Sequence, residues 1–281
     1  MAPSVHSIVK AVYDLFHGMV VNGEIPVDLR APSLVGTTQD DPFDNLVLDT
    51  IADAFPEWEV VSAGKLTTPD VVIRHREYTD VIVGLEVKKL IQKANGADSR
   101  GLTIDYNSCL PCGQMEIKVG KNVVAIPVYY FFALLSNDST SIKTLAIIDG
   151  DFINNDFELH KHAKLANQSA YGHGSYGEGS VRNRAMYTYA NPLNSKLDCF
   201  FERKVLVVPV EALEELSCDE LVTEFIIRTD IHNNQFKFAV LDNDEQINTD
   251  APREIDDLFD KVKARKPKHR NVASMVVLDE I

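Results

Sequence analysis

Residues 69–90 read PDVVIRHREYTDVIVGLEVKKL, two apolar, β-branched runs separated by the short polar stretch HREYTD. Such a pattern predicts an antiparallel hairpin. If the turn centres on Tyr78, paired residues carry indices summing to about 156, which sets Asp70 opposite Glu86. Side chains alternate along a strand, so Glu86 and Lys88 share one face while Val87 points the other way. Paired residues have Cβ atoms roughly 5 Å apart. The hairpin therefore gathers two carboxylates and one ammonium on a single patch.

Working outward, other stretches with strand character are EWEVVSAG (57–64), VVAIPVYYFFALL (123–135), TLAIIDGDFI (144–153) and KVLVVPV (204–210). Helical periodicity appears at 4–17, where Val5, Ile8, Val9, Val12 and Phe16 fall on one face, and at 42–54, which opens on Asp-Asp-Pro. Helical patterns are also expected at 211–225 and 254–265. Residues 166–181 are rich in glycine and small polar residues and are expected to form a mobile loop. No repeat is evident, and no G-x-G-x-x-G follows a strand, so a dinucleotide fold is not expected. The expectation is an α/β (α+β) single domain over 1–281, a central mixed sheet flanked by helices.

Composition removes several classes. The chain is 45% hydrophobic and 25% charged, an ordinary globular balance. No apolar run reaches the length of a membrane helix, and MAPSVHSIVKAVYDLF has no signal-peptide pattern, so a cytoplasmic protein without membrane contact is expected. Four cysteines, Cys109, Cys112, Cys199 and Cys218, do not make a secreted disulfide framework. The Cys109-x-x-Cys112 pair lacks a second pair for zinc and reads as small residues at a turn. His160, His162 and His173 show no ligand spacing.

The net charge of −14, from 28 basic and 42 acidic residues, argues against indiscriminate coating of nucleic acid. It leaves room for a specific DNA enzyme, where the local field of a cleft governs. Basic residues are grouped at Arg74, His75, Arg76, Lys88, Lys89 and Lys93, at Arg182, Arg184 and Lys196, and in KVKARKPKHR (261–270).

Two acids beside a lysine suit metal-assisted phosphodiester hydrolysis. The carboxylates are hard ligands for Mg²⁺, which keeps several waters and accepts a phosphate oxygen. A lysine beside them can orient the attacking water or help deprotonate it. Without a cation the two acids would repel each other.

Pro69-Asp70, a hairpin, then Glu86-Val87-Lys88 resembles the PD-(D/E)xK motif of type II restriction endonucleases. The resemblance implies that fold, with a catalytic core at about 40–155 and a recognition segment at about 165–195. It implies Asp70, Glu86 and Lys88 as catalytic residues, with Asp70, Glu86 and Val87 as the metal set. Mg²⁺, or Mn²⁺ in its place, is the implied cofactor, and Asp44 or Asn45 in DPFDNLVL matches a supporting helix position. Tyr106-Asn107-Ser108-Cys109-Leu110-Pro111-Cys112-Gly113 also resembles an element found in some restriction enzymes.

E-x-K alone is a weak signal, recurring at Glu116-Ile117-Lys118 and Glu202-Arg203-Lys204. Only the Glu86 copy sits in an apolar strand preceded by a PD strand in register. For DNA binding, Arg182, Asn183 and Arg184 are residue types that read guanine and adenine, with Asn107, Ser108 and Lys89 as further contacts. The function expected is sequence-specific, Mg²⁺-dependent cleavage of double-stranded DNA by a homodimer in a prokaryotic cytoplasm. Alternatives are a repair or junction-resolving nuclease on the same core, or a non-cleaving DNA-binding protein. Junction resolvases tend to be short and basic, which this chain is not.

Overall fold

The computed structural model describes residues 2–23, 42–62, 68–92, 94, 103–104, 113–154, 186–187, 203–218, 221–229, 233–242 and 277–278. Helix α1, Val5–Asn22, starts at a capping box: Ser4 Oγ accepts the Ser7 N–H, and the Ser4 N–H is held by Ser7 Oγ. It buries Ile8, Val9, Val12, Tyr13 and Phe16 and stops at Gly23, whose φ of 71° is the left-handed cap that glycine adopts without strain. Helix α2, Pro42–Ala54, buries Phe43, Val47 and Ile51 at successive turns. Its first residue is a proline, whose missing N–H costs nothing in the first turn.

Eight strands form the main path of one mixed sheet: β1 Trp58–Ser62, β2 Val71–His75, β3 Ile82–Ile91, β6 Asn122–Leu135, β7 Ile142–Asp149, β9 Lys204–Pro209, β11 Gln235–Asp242 and β10 Val222–Thr229, in that spatial order. The β3–β6 and β7–β9 pairs are parallel and the others on the path antiparallel. Strand β5, Gln114–Val119, forms a hairpin with β6 and pairs with β12, Val277–Leu278. Thr103–Ile104 (β4) and Met186–Tyr187 (β8) form a separate two-stranded pair.

The core lies in two layers, one on each face of the sheet. On one face α1, α2, a 3₁₀ turn at Val210–Ala212 and helix α4 at Leu213–Leu216 cover Leu85, Val87, Phe131 and their neighbours. Phe16 meets Phe131 edge-on at a centroid distance of 4.9 Å. On the other face Tyr130, Phe132, Ile148 and Phe238 form a second cluster with Phe152 of helix α3, Gly150–Asn154. Strand β6 is buried on both faces from Val128 onward, hence its unbroken apolar run. From Val128 to Leu135 that burial removes the strand from the surfaces available to a partner, whereas Val123 and Val124 near its start stay exposed. Truncating Phe131 to alanine is expected to cost about 3–5 kcal/mol, read by denaturant unfolding.

The structure corrects two sequence expectations and adds a strand. The run 144–153 is strand only to Asp149, where α3 begins. The helix expected over 211–225 is confined to the turn and α4, and the chain from Val222 is strand β10. Strand β11 was not anticipated. The loop 166–181 and the helix 254–265 lie outside the described residues.

Asp149 ends β7 by accepting the Asp151 N–H at 2.8 Å on Oδ1, and it shares a hydrogen bond with Tyr129, whose hydroxyl lies 2.9 Å from His6 Nδ1 on α1. Burial, then the like charge of Asp151, raises the Asp149 carboxyl to about 7 from an ordinary 3.8. The folded state therefore keeps a proton that the unfolded chain has released. Its contribution to stability is complete below the unfolded value and is lost as pH rises through the folded one. Melting of the metal-free protein is expected to fall between about pH 4 and 7, and Asp149→Asn to flatten part of that slope. An identical slope in the variant would rule Asp149 out as its source.

Candidate active site

The hairpin closes through His75, whose Nδ1 accepts the N–H groups of Glu77 and Tyr78, each at 3.2 Å. Its ladder pairs Val71 with Leu85, Val72 with Gly84, Ile73 with Val83 and Arg74 with Ile82, every pair summing to 156 as the turn at Tyr78 predicts. Strand pairing ends at Val71. One residue earlier, Asp70 turns a carboxylate to the strand instead: Oδ2 accepts the Val87 N–H at 2.7 Å. The side chain thus satisfies a backbone donor at the point where β2 leaves β3.

Glu86 and Lys88 stand on the face away from α1 and α2, beside Tyr130 and Phe132 in the β6 ladder. Lys88 Nζ donates to Glu86 Oε1 at 2.5 Å and to the Val87 carbonyl at 3.3 Å, and lies 3.7 Å from Asp70 Oδ2. The three groups named from sequence converge. Glu86 is only 1% exposed, and its Oε2 has no hydrogen-bond donor among the described residues. Burial first, then the Asp70 charge, raises its carboxyl to about 7, against the pull of Lys88. A buried acceptor with no donor is costly. It fits a position where a cation would sit, and a bound divalent ion would favour the ionised form.

The oxygen donors present would also fit a hard divalent cation such as Mg²⁺. Mg²⁺ takes one or two carboxylates and completes its shell with water and phosphate. Among the described residues no three His, Cys, Asp or Glu side chains form a closed cage, and Mg²⁺ does not need one. Asp70, Glu86 and the Val87 backbone carbonyl would hold it. The Val87 side chain is in the helix-side core, so only its backbone belongs to the site.

Of the supporting pair on α2, Asp44 adds a small like-charge push on Glu86, whereas Asn45 is exposed. Lys89 lies on the helix side of β3, its Nζ 5.9 Å from the Phe43 ring centroid, across the sheet from Glu86 and Lys88. The basic group around the hairpin is dispersed. Arg74 is buried and ion-paired with Glu59 on β1, and exposed Arg76 donates to the Pro56 and Trp58 carbonyls. Lys93, Arg182, Asn183, Arg184, Asn107, Ser108 and the Cys109–Cys112 pair lie outside the described residues.

The rival motif at Glu116 and Lys118 is exposed on β5, and Glu116 faces Ala125, not an acid. If the chain cuts DNA through Glu86 and Lys88, Glu116→Ala and Lys118→Ala are therefore expected to leave cleavage within a few-fold of wild type in a plasmid-cutting assay. If Lys118→Ala were inactive while Lys88→Ala cut normally, the site would belong to the other copy. Sequence reasoning passed over Gly84, whose signal is a glycine inside an otherwise apolar strand.

No protein-family model matches the chain, and neither the curated proteins nor the solved structures include a match.

Proposed function

We propose that this protein is a Mg²⁺-dependent endonuclease of the restriction type, hydrolysing phosphodiester bonds in double-stranded DNA. The observation that carries this reading is the convergence of Asp70, Glu86 and Lys88 where β2 leaves β3, with Glu86 Oε2 enclosed and without a donor among the described residues. When bound, the cation supplies positive charge to a phosphate oxygen and acidifies a water. Glu86 and Asp70 fix the position at which that charge is felt. Lys88, held by Glu86, presents its ammonium to the incoming water and to the charge that builds on phosphate. Water adds to phosphorus as the bond to the leaving sugar oxygen breaks.

Cleavage of both strands needs two such sites in opposite orientation, which a two-fold homodimer supplies on duplex DNA. Arg182, Asn183 and Arg184 are assigned to base readout on sequence alone, with Asn107 and Ser108 as further DNA contacts. Arg182→Ala or Arg184→Ala is expected to cost about 1–3 kcal/mol, mainly on cognate DNA, by titration against cognate and scrambled duplexes. Equal weakening on both would make them phosphate contacts.

The deciding experiment is incubation of the purified protein with phage DNA and Mg²⁺. Discrete bands support a site-specific enzyme. A smear, or cutting confined to branched substrates, would favour a repair or junction-resolving nuclease, and intact DNA retained in a gel shift a non-cleaving binder.

A further inference from the structure

Gly84 lies in the interior of β3, paired with Val72 on one side and Val128 on the other. Glycine weakens a strand at such a place. Its reason here is space. A Cβ on Gly84 would lie 2.6 Å from Pro69 Cγ, 3.0 Å from Pro69 Cβ and 3.2 Å from Val128 Cγ2. The first distance is shorter than real carbon contacts allow. The Pro69 ring is bonded to its own backbone nitrogen, so it cannot swing aside as a flexible side chain would. Relief requires the backbone at Pro69 to move, and the next residue is Asp70.

We propose that Gly84 is a positioning residue for this site: the absent side chain is a seat for Pro69, and the seated ring fixes the Asp70 carboxylate on the Val87 N–H. Gly84, Glu86 and Lys88 follow one another on the same face of β3 by strand alternation. The strand that carries the glutamate and the lysine thus also sets where the aspartate from the neighbouring strand stands. The tolerance is small, because Asp70 Oδ2 is 2.7 Å from the Val87 nitrogen and 3.7 Å from Lys88 Nζ. Its effect on cleavage rests on the nuclease reading; the seat itself does not.

The test uses the full chain and a readout independent of activity, the NMR shift and hydrogen exchange of the Val87 amide, with Asp70→Ala as the reference for a lost bond. In Gly84→Ala the Val87 signal is expected to move toward the Asp70→Ala position and to exchange about tenfold faster. Mn²⁺ affinity by calorimetry should fall by a similar factor, and kcat should drop with little change in KM. Adding Pro69→Gly to Gly84→Ala removes the ring that the new methyl meets, and should return the Val87 signal toward wild type. A wild-type Val87 signal in Gly84→Ala would overturn the proposal, as would a double variant no better than the single one. If Gly84→Ala fails to fold, the double variant decides: recovery of a cooperative melt supports the seat, and continued failure refutes it. Should the wild type bind no Mn²⁺ and cut no DNA while Val87 responds as stated, the nuclease reading falls and the seat stands.

Discussion

Glu86→Gln is expected to reduce DNA cleavage by about three orders of magnitude or more, with no loss of the fold. The size follows from the role proposed for the carboxylate: positioned charge and proton handling each contribute factors of roughly 10²–10⁴. The amide keeps an oxygen for Lys88 Nζ, so the local packing survives while the charge facing the cation position is gone. Because wild-type Glu86 is enclosed, with its carboxyl pushed up to about 7 by burial and by Asp70, the neutral variant should melt no lower than wild type at pH 8 in EDTA. Asp70→Ala and Lys88→Ala should lose activity on the same scale. The combination of a stable fold and a dead enzyme is the signature of a residue held in an unfavourable state for function. Near-normal cutting by Glu86→Gln, measured in single-turnover assays, would remove this carboxylate from the chemistry.

The second large effect concerns the ion. Cleavage should stop in excess EDTA and return with Mg²⁺ or Mn²⁺, while Ca²⁺, larger and less demanding in geometry, should support DNA binding without turnover. The oxygen donors available here, Asp70, Glu86 and the Val87 carbonyl, are hard ligands of the kind these ions take. Full activity in EDTA would eliminate the metal mechanism outright. Sedimentation on a cognate duplex adds an independent check on assembly. A mass near one chain per duplex, with nicked circles accumulating before linear DNA, would overturn the homodimer.

The sequence by itself determined the local geometry of the site. A turn centred on Tyr78 fixes the pairing sum, the period of two fixes the faces, and together they set Asp70 level with Glu86 and Lys88 beside it. The helical periodicity of α1 and α2 was legible for the same reason, since periodicity is imposed by neighbouring residues. The run 123–135 showed strand character, and its burial on both faces from Val128 onward came only with the packed sheet. The side of Lys89 was legible too: it is one residue from Lys88 and must face away from it, so its grouping with the site overlooked the alternation.

What only the tertiary structure decided are matters set by residues distant in sequence. Glu59 on β1 draws Arg74 into a buried pair, and a list of nearby basic residues cannot show that. Residues 150–154 leave the strand because the Asp149 carboxylate caps the turn that follows. Residues 222–229 become strand because β11 is there to pair with them, the helical and extended patterns being equally available to so short an apolar run. The enclosure of Glu86 is of this kind as well. Its identity and its face follow from a two-residue period, but the burial that leaves Oε2 without a donor among the described residues depends on packing across the sheet. The seat of Pro69 on Gly84 likewise exists only once β2 lies against β3.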